Sequence, residues 1–98
     1  MLLTNFNMKI YRYEKSDGGG PWCTLDGKLR SHPNEVQMND PYVYGCSSLA
    51  ALNEYFQNRK DVNILTDCIL KIYDIPEEEV IISTRQVLFP KAYIKQQV

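Results

Sequence analysis

Hydrophobic residues recur at helical spacing in one clear stretch of the chain, residues 49–56, which follows a short run of strand-forming residues at 42–46. Apolar side chains three or four positions apart lie on one face of a helix. The positions that form this face are Leu49, Leu52, Tyr55 and Phe56. The pattern predicts a short strand, a turn and one amphipathic helix, against which the other elements pack.

The residues between the predicted strand and helix favour a turn and a helix cap. Gly45 suits a tight turn because glycine adopts positive φ angles without a Cβ clash. Ser47 or Ser48 can cap the helix, because a hydroxyl oxygen accepts a hydrogen bond from a backbone N–H of the first turn. The helix is predicted to end between Asn58 and Lys60, where basic side chains suit its negative end.

Strand patterns occur on both sides of this helix. Residues 9–14 alternate, which places Ile10, Arg12 and Glu14 on one face of a strand. Residues 68–75 form the most apolar run of the chain and are predicted to be the central strand. Shorter strand patterns follow at residues 80–82, 85–89 and 92–97.

This order of elements predicts an α+β fold, with one main amphipathic helix on a mostly antiparallel sheet. The helix is expected to bury Leu49, Leu52 and Phe56. Their expected partners on the strands are Ile69, Leu70, Ile72 and Val87. Residues 8–98 are long enough for one domain with one core. Residues 1–7 are predicted to be a flexible extension, and either Met1 or Met8 is the natural start.

Two segments have no role in the predicted core and are candidate binding segments. The loop at residues 22–41 is long for a compact domain. Trp22 begins this loop and Tyr42 follows it, and both are predicted to contact a partner, since aromatic residues dominate many interfaces. Alternatively, they close the core over the helix. Glu77, Glu78 and Glu79 are predicted to dock on a basic partner surface, the alternative being a solvated turn.

Composition and charge argue against several classes of protein. The 11 basic and 12 acidic side chains are interspersed and give a net charge of −1. A basic stripe that could neutralise a phosphate backbone is therefore missing, and direct nucleic-acid binding is not expected. No apolar run reaches transmembrane length, so no membrane contact is expected. Three cysteines without a short-spaced pair argue against a disulfide framework and favour the cytoplasm.

The cysteines and the single histidine are candidates for chemistry. Cys46 would be a nucleophile if His32 lay beside it, and the nearby helix N-terminus would lower the pKa of its thiol. We favour the alternative that Cys46 is a small buried side chain. Together with Cys23 and Cys68, these residues lack the paired spacing of a zinc site, so no metal and no cofactor are predicted.

Several short motifs occur in an order that resembles a known fold. The first strand carries Arg12, the second leads through Ser47 into a helix ending in Tyr55-Phe56, and a late strand reads Gln86-Val87-Leu88-Phe89-Pro90. In this order the chain resembles a degenerate ADP-ribosyltransferase-like fold. The resemblance implies a site for NAD or ADP-ribose formed by Arg12, Ser47 and Gln86.

The same resemblance argues against catalysis. The family places a catalytic glutamate just before the Val-Leu-Phe-Pro run, where this chain has Gln86 or Arg85. No catalytic residue is therefore predicted. The structural alternative for Arg12 is an ion pair with Glu14 or Asp74, which we favour because pairing networks are commoner than ligand sites.

The chain also resembles small phage and prophage proteins. The shared patterns are Tyr-Arg-x-Glu at residues 11–14, Gly-x-x-Ser-Leu-x-x-Leu-x-x-x-Phe at 45–56 and Gln-Val-x-Phe at 86–89. Phage proteins of this size often inhibit host defence, and anti-CRISPR proteins are among them. The resemblance implies a protein that binds and inhibits a host protein, such as a CRISPR-Cas effector, in the host cytoplasm. The alternative is an NAD- or ADP-ribose-binding protein or an ADP-ribosyltransferase-like enzyme.

Overall fold

A computed structural model of the chain describes residues 6–30, 41–57 and 65–95. Within these ranges the chain forms five strands, one main helix and two short helical segments. The strands are β1 (Asn7–Glu14), β2 (Tyr42–Gly45), β3 (Ile69–Pro76), β4 (Ile81–Ile82) and β5 (Val87–Pro90). The main helix is α1 (Leu49–Gln57), a 3-10 turn covers Glu77–Glu79, and the short helix α2 covers Ala92–Lys95.

The strands form two antiparallel sheets. Strand β1 pairs with β3 along its whole length, and β5 lies between β2 and β4. A bridge joins the sheets, because the Tyr11 amide donates to the Cys46 carbonyl at 2.7 Å and the Cys46 amide donates to the Tyr11 carbonyl at 2.9 Å. The predicted α+β class with mostly antiparallel pairing is confirmed.

Gly45 allows β2 to approach β1 closely. A Cβ atom at Gly45 would lie 2.4 Å from Cγ2 of Ile10 and 3.1 Å from the carbonyl oxygen of Tyr11. The prediction that Gly45 provides a positive φ angle is wrong, since the glycines with positive φ in the described ranges are Gly18 and Gly27. Glycine is needed at this position because a side chain would separate the two sheets.

The core lies between the two sheets and contains side chains from four strands and from α2. Ile10 and Phe89 have no solvent exposure, and the rings of Tyr73 and Phe89 lie 5.1 Å apart. The buried core residues are Ile10, Val43, Tyr73, Ile75, Val87, Phe89 and Ile94. Because most of them come from strands, the sheets rather than the main helix supply the centre of the core.

The main helix packs against β1, whereas most of its predicted partners lie on β3. Leu52 is buried, Phe56 is half-buried and Leu49 is 41% exposed. Phe56 makes an edge contact with Tyr13 of β1 at 5.5 Å, and the Tyr13 hydroxyl donates to Oδ1 of Asn53 at 3.1 Å. The helix follows β2 almost directly, and the bridge to Tyr11 keeps it beside β1, because consecutive elements tend to be neighbours.

Strand β3 is an edge strand in the described part of the chain, which corrects the prediction of a central strand. It pairs only with β1 there. The expected helix partners on this strand are consequently exposed, by 59% for Ile69, 37% for Leu70 and 52% for Ile72. An apolar run is typical of a central strand, but the neighbouring strands decide the position, and here β5 pairs with β2 and β4 and not with β3.

Local predictions at the element ends have mixed outcomes. Ser48 caps α1, because its Oγ accepts from the Ala51 amide at 3.0 Å. The prediction of a last strand at residues 92–97 is wrong, since Ala92–Lys95 is a helical turn that buries Ile94 in the core. The predicted helix end at residues 58–60 lies outside the described residues.

At the N-terminal side, β1 begins one residue earlier than the predicted domain boundary. Asn7 already pairs with Pro76, and the Phe6 carbonyl accepts from the Glu77 amide at 3.0 Å. Residues 1–5 of the predicted flexible extension lie outside the described residues.

The described half of the long loop forms an ordered turn. A bridge joins Cys23 to Leu29, the Thr24 amide donates to the Lys28 carbonyl at 2.8 Å, and the Arg30 amide donates to the Trp22 carbonyl at 2.8 Å. The prediction of a segment without secondary structure is therefore wrong for residues 22–30. Residues 31–40 lie outside the described residues.

Candidate functional site

Arg12 holds three segments of the chain together from a buried position. Its Nε donates to Oε2 of Glu14 at 3.0 Å, Nη1 donates to the Tyr44 carbonyl at 2.9 Å and Nη2 donates to the Gly18 carbonyl at 3.1 Å. Arg12 is 7% exposed and Glu14 is 4% exposed. Arg12 therefore pairs with Glu14, the structural alternative favoured for it on sequence grounds.

Glu14 also accepts a hydrogen bond from the hydroxyl of Tyr73 through the same oxygen, Oε2. Burial lowers the pKa of the Arg12 guanidinium, and the charge of Glu14 opposes this shift. Burial and the hydrogen bond to Glu14 both raise the pKa of Tyr73. Arg12, Glu14 and Tyr73, called here the buried triad, thus favour a charged pair and a neutral phenol.

The raised pKa of Tyr73 predicts a loss of stability in alkali. In the unfolded chain Tyr73 releases its proton near the ordinary tyrosine pKa of about 10, whereas in the folded protein burial and Glu14 make it keep the proton to higher pH. The contribution of Tyr73 to the free energy of unfolding is therefore fully present below about pH 10. It decreases as pH rises above that value, by at most about 1.4 kcal/mol per pH unit. Urea unfolding at a series of alkaline pH values measures this slope.

Tyr73→Phe should remove this part of the alkaline slope. Tyr44→Phe is the matched control, because Tyr44 is 48% exposed and its ring lies outside the core. The control should keep the wild-type slope. An unchanged slope in Tyr73→Phe would contradict the role given to the Tyr73–Glu14 hydrogen bond.

An ion pair fixes the glycine-rich loop that follows β1. Nη1 and Nη2 of Arg30 donate to the two carboxylate oxygens of Asp17 at 3.0 and 2.9 Å, and Nε of Arg30 donates to the Gly20 carbonyl at 2.9 Å. The hydrogen bond from Arg30 lowers the pKa of Asp17. A Cβ atom at Gly19 would lie 2.4 Å from the Cys23 carbonyl oxygen, so the turn at residues 22–30 packs directly on this loop.

A cavity of about 710 Å³ lies between this loop, β1, β2 and α1. We call it the aromatic cleft, because six aromatic side chains line it: Tyr13, Trp22, Tyr42, Tyr44, Tyr55 and Phe56. Trp22 is stacked on Phe56 at 5.5 Å with an angle of 12° between the rings, and it meets Tyr55 edge-on at 6.5 Å. The charged lining residues in the described ranges are Arg12 and Lys91, and none carries a carboxylate.

The structure brings some of the predicted site residues together. Arg12 and Gln86, two of the three residues implied for a nucleotide site, both line the aromatic cleft, whereas Ser47 is exposed outside its lining. Trp22 and Tyr42, predicted to contact a partner, line the same cleft.

The three predicted acidic residues lie in a separate exposed turn. Glu77, Glu78 and Glu79 form the 3-10 turn after β3. The hydroxyl of Tyr93 donates to Oε2 of Glu79. The role of the turn in partner binding stays a prediction.

Cys46 has the environment of a structural cysteine. It is 1% exposed, and burial raises the pKa of its thiol, opposite to the shift expected from a helix N-terminus. His32, its predicted partner, lies outside the described residues. Among the residues that the structure describes, no group of three or more His, Cys, Asp or Glu side chains is placed to hold a metal ion.

Comparison with known proteins identifies the family. A family model with the description "Bacteriophage T4 Y00F protein" matches residues 8–97. The chain belongs to this family. The resemblance to a small phage protein family is therefore confirmed. A search of curated proteins and a search of solved structures each gave no significant match.

Parts of the site in this Y00F family member depend on strand pairing and have little or no signal in the sequence. Glu14 shares a strand face with Arg12, so their pairing has a local signal. Tyr73 has none, because it lies opposite Ile10 in the β1–β3 register and reaches Glu14 only through its hydroxyl. The helical pattern assigns Tyr55 and Phe56 to the core face of the helix, yet they line the aromatic cleft.

In the described residues of the Y00F-family chain, no helix is long and apolar enough to cross a membrane.

Proposed function

We propose that this Y00F-family protein acts by binding a host protein in the cytoplasm of the infected cell, and that it inhibits a component of host defence such as a CRISPR-Cas effector. The family match supports the phage setting. The aromatic cleft is the observation that carries the binding part of the proposal, because it gathers six aromatic side chains at one concave surface.

The cleft has the properties of an interface hot spot. Tyr42 is 37% exposed and Tyr44 is 48% exposed, so both can bury further area on a partner. Trp22 is held in place by its stacking on Phe56, which reduces the entropy lost on binding. Aromatic side chains in such sites commonly supply most of the binding free energy.

Tyr42→Ala and Trp22→Ala should each weaken partner binding by about 2 kcal/mol or more, which is about 30-fold in Kd. The partner is first identified by pull-down from host lysate with mass spectrometry, and Kd is then measured by surface plasmon resonance. Ile82→Ala is the control, because Ile82 is 68% exposed and lies outside the cleft lining. Wild-type affinity in both cleft variants, with folding verified by circular dichroism, would contradict the proposal.

The second candidate is a protein that binds NAD or ADP-ribose, on a degenerate ADP-ribosyltransferase-like fold. It is favoured by one observation, the presence of Arg12 and Gln86 in the same cleft. It is weakened by another, because every nitrogen of the Arg12 guanidinium already donates to Glu14, Tyr44 or Gly18. Calorimetric titration with ADP-ribose separates the two functions: binding heat that disappears in Gln86→Ala would favour the nucleotide site.

A further inference from the structure

The hydrogen bonds of Tyr11 determine which backbone groups β3 presents at its outer edge. Tyr11 exchanges both of its backbone hydrogen bonds with Cys46, on the side of β1 away from β3. In an antiparallel pair, hydrogen-bonded and non-hydrogen-bonded residue pairs alternate. Tyr11 and Ile72 are opposite each other and thus form a non-hydrogen-bonded pair. The N–H and C=O of Ile72 consequently point to the outer edge of β3.

Leu70 and Asp74, two residues from Ile72 on either side, also form non-hydrogen-bonded pairs with β1, so their N–H and C=O groups point to the outer edge as well. The backbone groups of these three residues form the free edge of β3, since no strand in the described part of the chain pairs there. The side chains of Leu70 and Ile72 are 37% and 52% exposed. A long, exposed, apolar edge strand is a template for another strand.

We infer that the free edge of β3 is a docking site for an extended strand of a partner protein, with apolar side chains over Leu70 and Ile72 and basic residues at the end that meets Asp74 and the acidic turn. The inference rests on the proposed function, because it specifies how a protein partner is held. A partner strand added to a sheet edge gains main-chain hydrogen bonds, while pockets and charges select its sequence.

Charge selects the chemistry of the partner strand. Asp74 is exposed at the C-terminal part of β3, and Glu77, Glu78 and Glu79 follow it directly in an exposed turn. Lys9 lies opposite Asp74 but on β1, away from the free edge. A lysine or arginine at the matching end of the partner strand therefore meets the acidic side of the site.

The same charges disfavour a second copy of this chain as the partner. Since only alternate residues present backbone groups at the edge, the allowed antiparallel registers differ by two residues. With Ile72 opposite Ile72, Asp74 of each copy lies opposite the apolar Leu70 of the other and not opposite a basic residue. A register shifted by two residues brings Lys71 opposite Lys71, or Ile72 opposite Asp74. Like charges opposite each other destabilise strand pairing.

The site is adjacent to the aromatic cleft. Leu70 is the cross-strand neighbour of Tyr13, and Tyr13 lines the cleft and contacts Phe56. One partner can therefore place a strand on β3 and an anchor in the cleft at the same time.

A defined peptide tests the inference without the natural partner. The probe is a synthetic peptide of alternating valine and threonine that ends in two lysines, made with the lysines at either terminus. In amide NMR spectra of the full chain, its binding should shift Leu70, Ile72 and Asp74 more than Lys71 and Tyr73, whose amides face β1. A matched peptide with glutamates in place of the lysines should bind several-fold more weakly at low salt, and the difference should shrink as salt is added.

Ile72→Pro should abolish peptide binding, because proline removes an edge donor while the hydrogen bonds from β3 to β1 are kept. Ile72→Val keeps the N–H and should bind like the wild type. If Ile72→Pro does not fold, Ile72→Lys replaces it in the test, since it places a like charge against the lysine peptide at an exposed position. Replacing Glu77, Glu78 and Glu79 by Gln should reduce the preference for the lysine peptide, to the part that Asp74 supplies.

Three outcomes would overturn the inference: no binding of either lysine peptide to the wild type, shifts confined to the aromatic cleft, or concentration-dependent shifts at Leu70, Ile72 and Asp74 without peptide, which would indicate a second copy. Failure here is distinguishable from failure of the proposed function. A partner whose affinity depends on Tyr42 but not on Ile72→Pro would keep the proposed function and refute the strand site.

Discussion

Replacing Glu14 by alanine is expected to lower the free energy of unfolding by about 3–5 kcal/mol, the usual cost of removing one partner of a buried ion pair. The substitution leaves the guanidinium of Arg12 without its counter-ion at a position that is 7% exposed. It also removes the acceptor of the Tyr73 hydroxyl. A small domain has a total stability of about 5–15 kcal/mol, so this variant approaches the unfolding limit.

Urea unfolding followed by circular dichroism measures this change. Glu54→Ala is the matched control, because Glu54 is exposed on α1, and it should stay within about 0.5 kcal/mol of the wild type. The free energy of unfolding of Glu14→Gln should lie between those of Glu14→Ala and Glu54→Ala, since glutamine keeps an acceptor oxygen but removes the charge. A Glu14→Ala variant as stable as the control would contradict a buried triad that ties β1 to β2 and to the glycine-rich loop.

The sequence was informative wherever a signal lies within one element. The alternating residues of β1, the serine cap of α1 and the helical spacing of Leu49, Leu52 and Phe56 each predicted an element that the structure contains. Local patterns also gave the α+β class, because strands before and after a single amphipathic helix leave few other arrangements.

The failures concern relations between elements. The apolar run of β3 predicted a central strand because sequence composition does not show which strands lie beside it. The role of Gly45 was misjudged for the same reason, since the close approach of Ile10 exists only once β1 and β2 are bridged. The six aromatic residues of the aromatic cleft come from four segments, so the sequence pointed to Trp22 and Tyr42 but not to the assembly.

The second large effect is expected in the core between the sheets. Helical spacing pointed to Phe56 as a main buried side chain, whereas the structure makes it a half-buried member of the aromatic cleft. Phe89 of β5 has no solvent exposure and lies between core residues of both sheets, with its ring 5.1 Å from that of Tyr73. The difference in burial predicts different costs for the same substitution at the two positions.

Phe89→Ala should cost about 3–5 kcal/mol, because it removes a fully buried ring and leaves a cavity that the paired strands β2, β4 and β5 cannot collapse into. Phe56→Ala should cost less, within the range of about 0.5–3 kcal/mol usual for single substitutions, since part of its ring already contacts water. Parallel urea titrations of the two variants measure the order of the two costs. Because Phe56 supports Trp22 in the cleft, its variant should lose partner affinity more than stability. A larger loss of stability in Phe56→Ala than in Phe89→Ala would mean that the helix, and not the pair of sheets, forms the centre of the core.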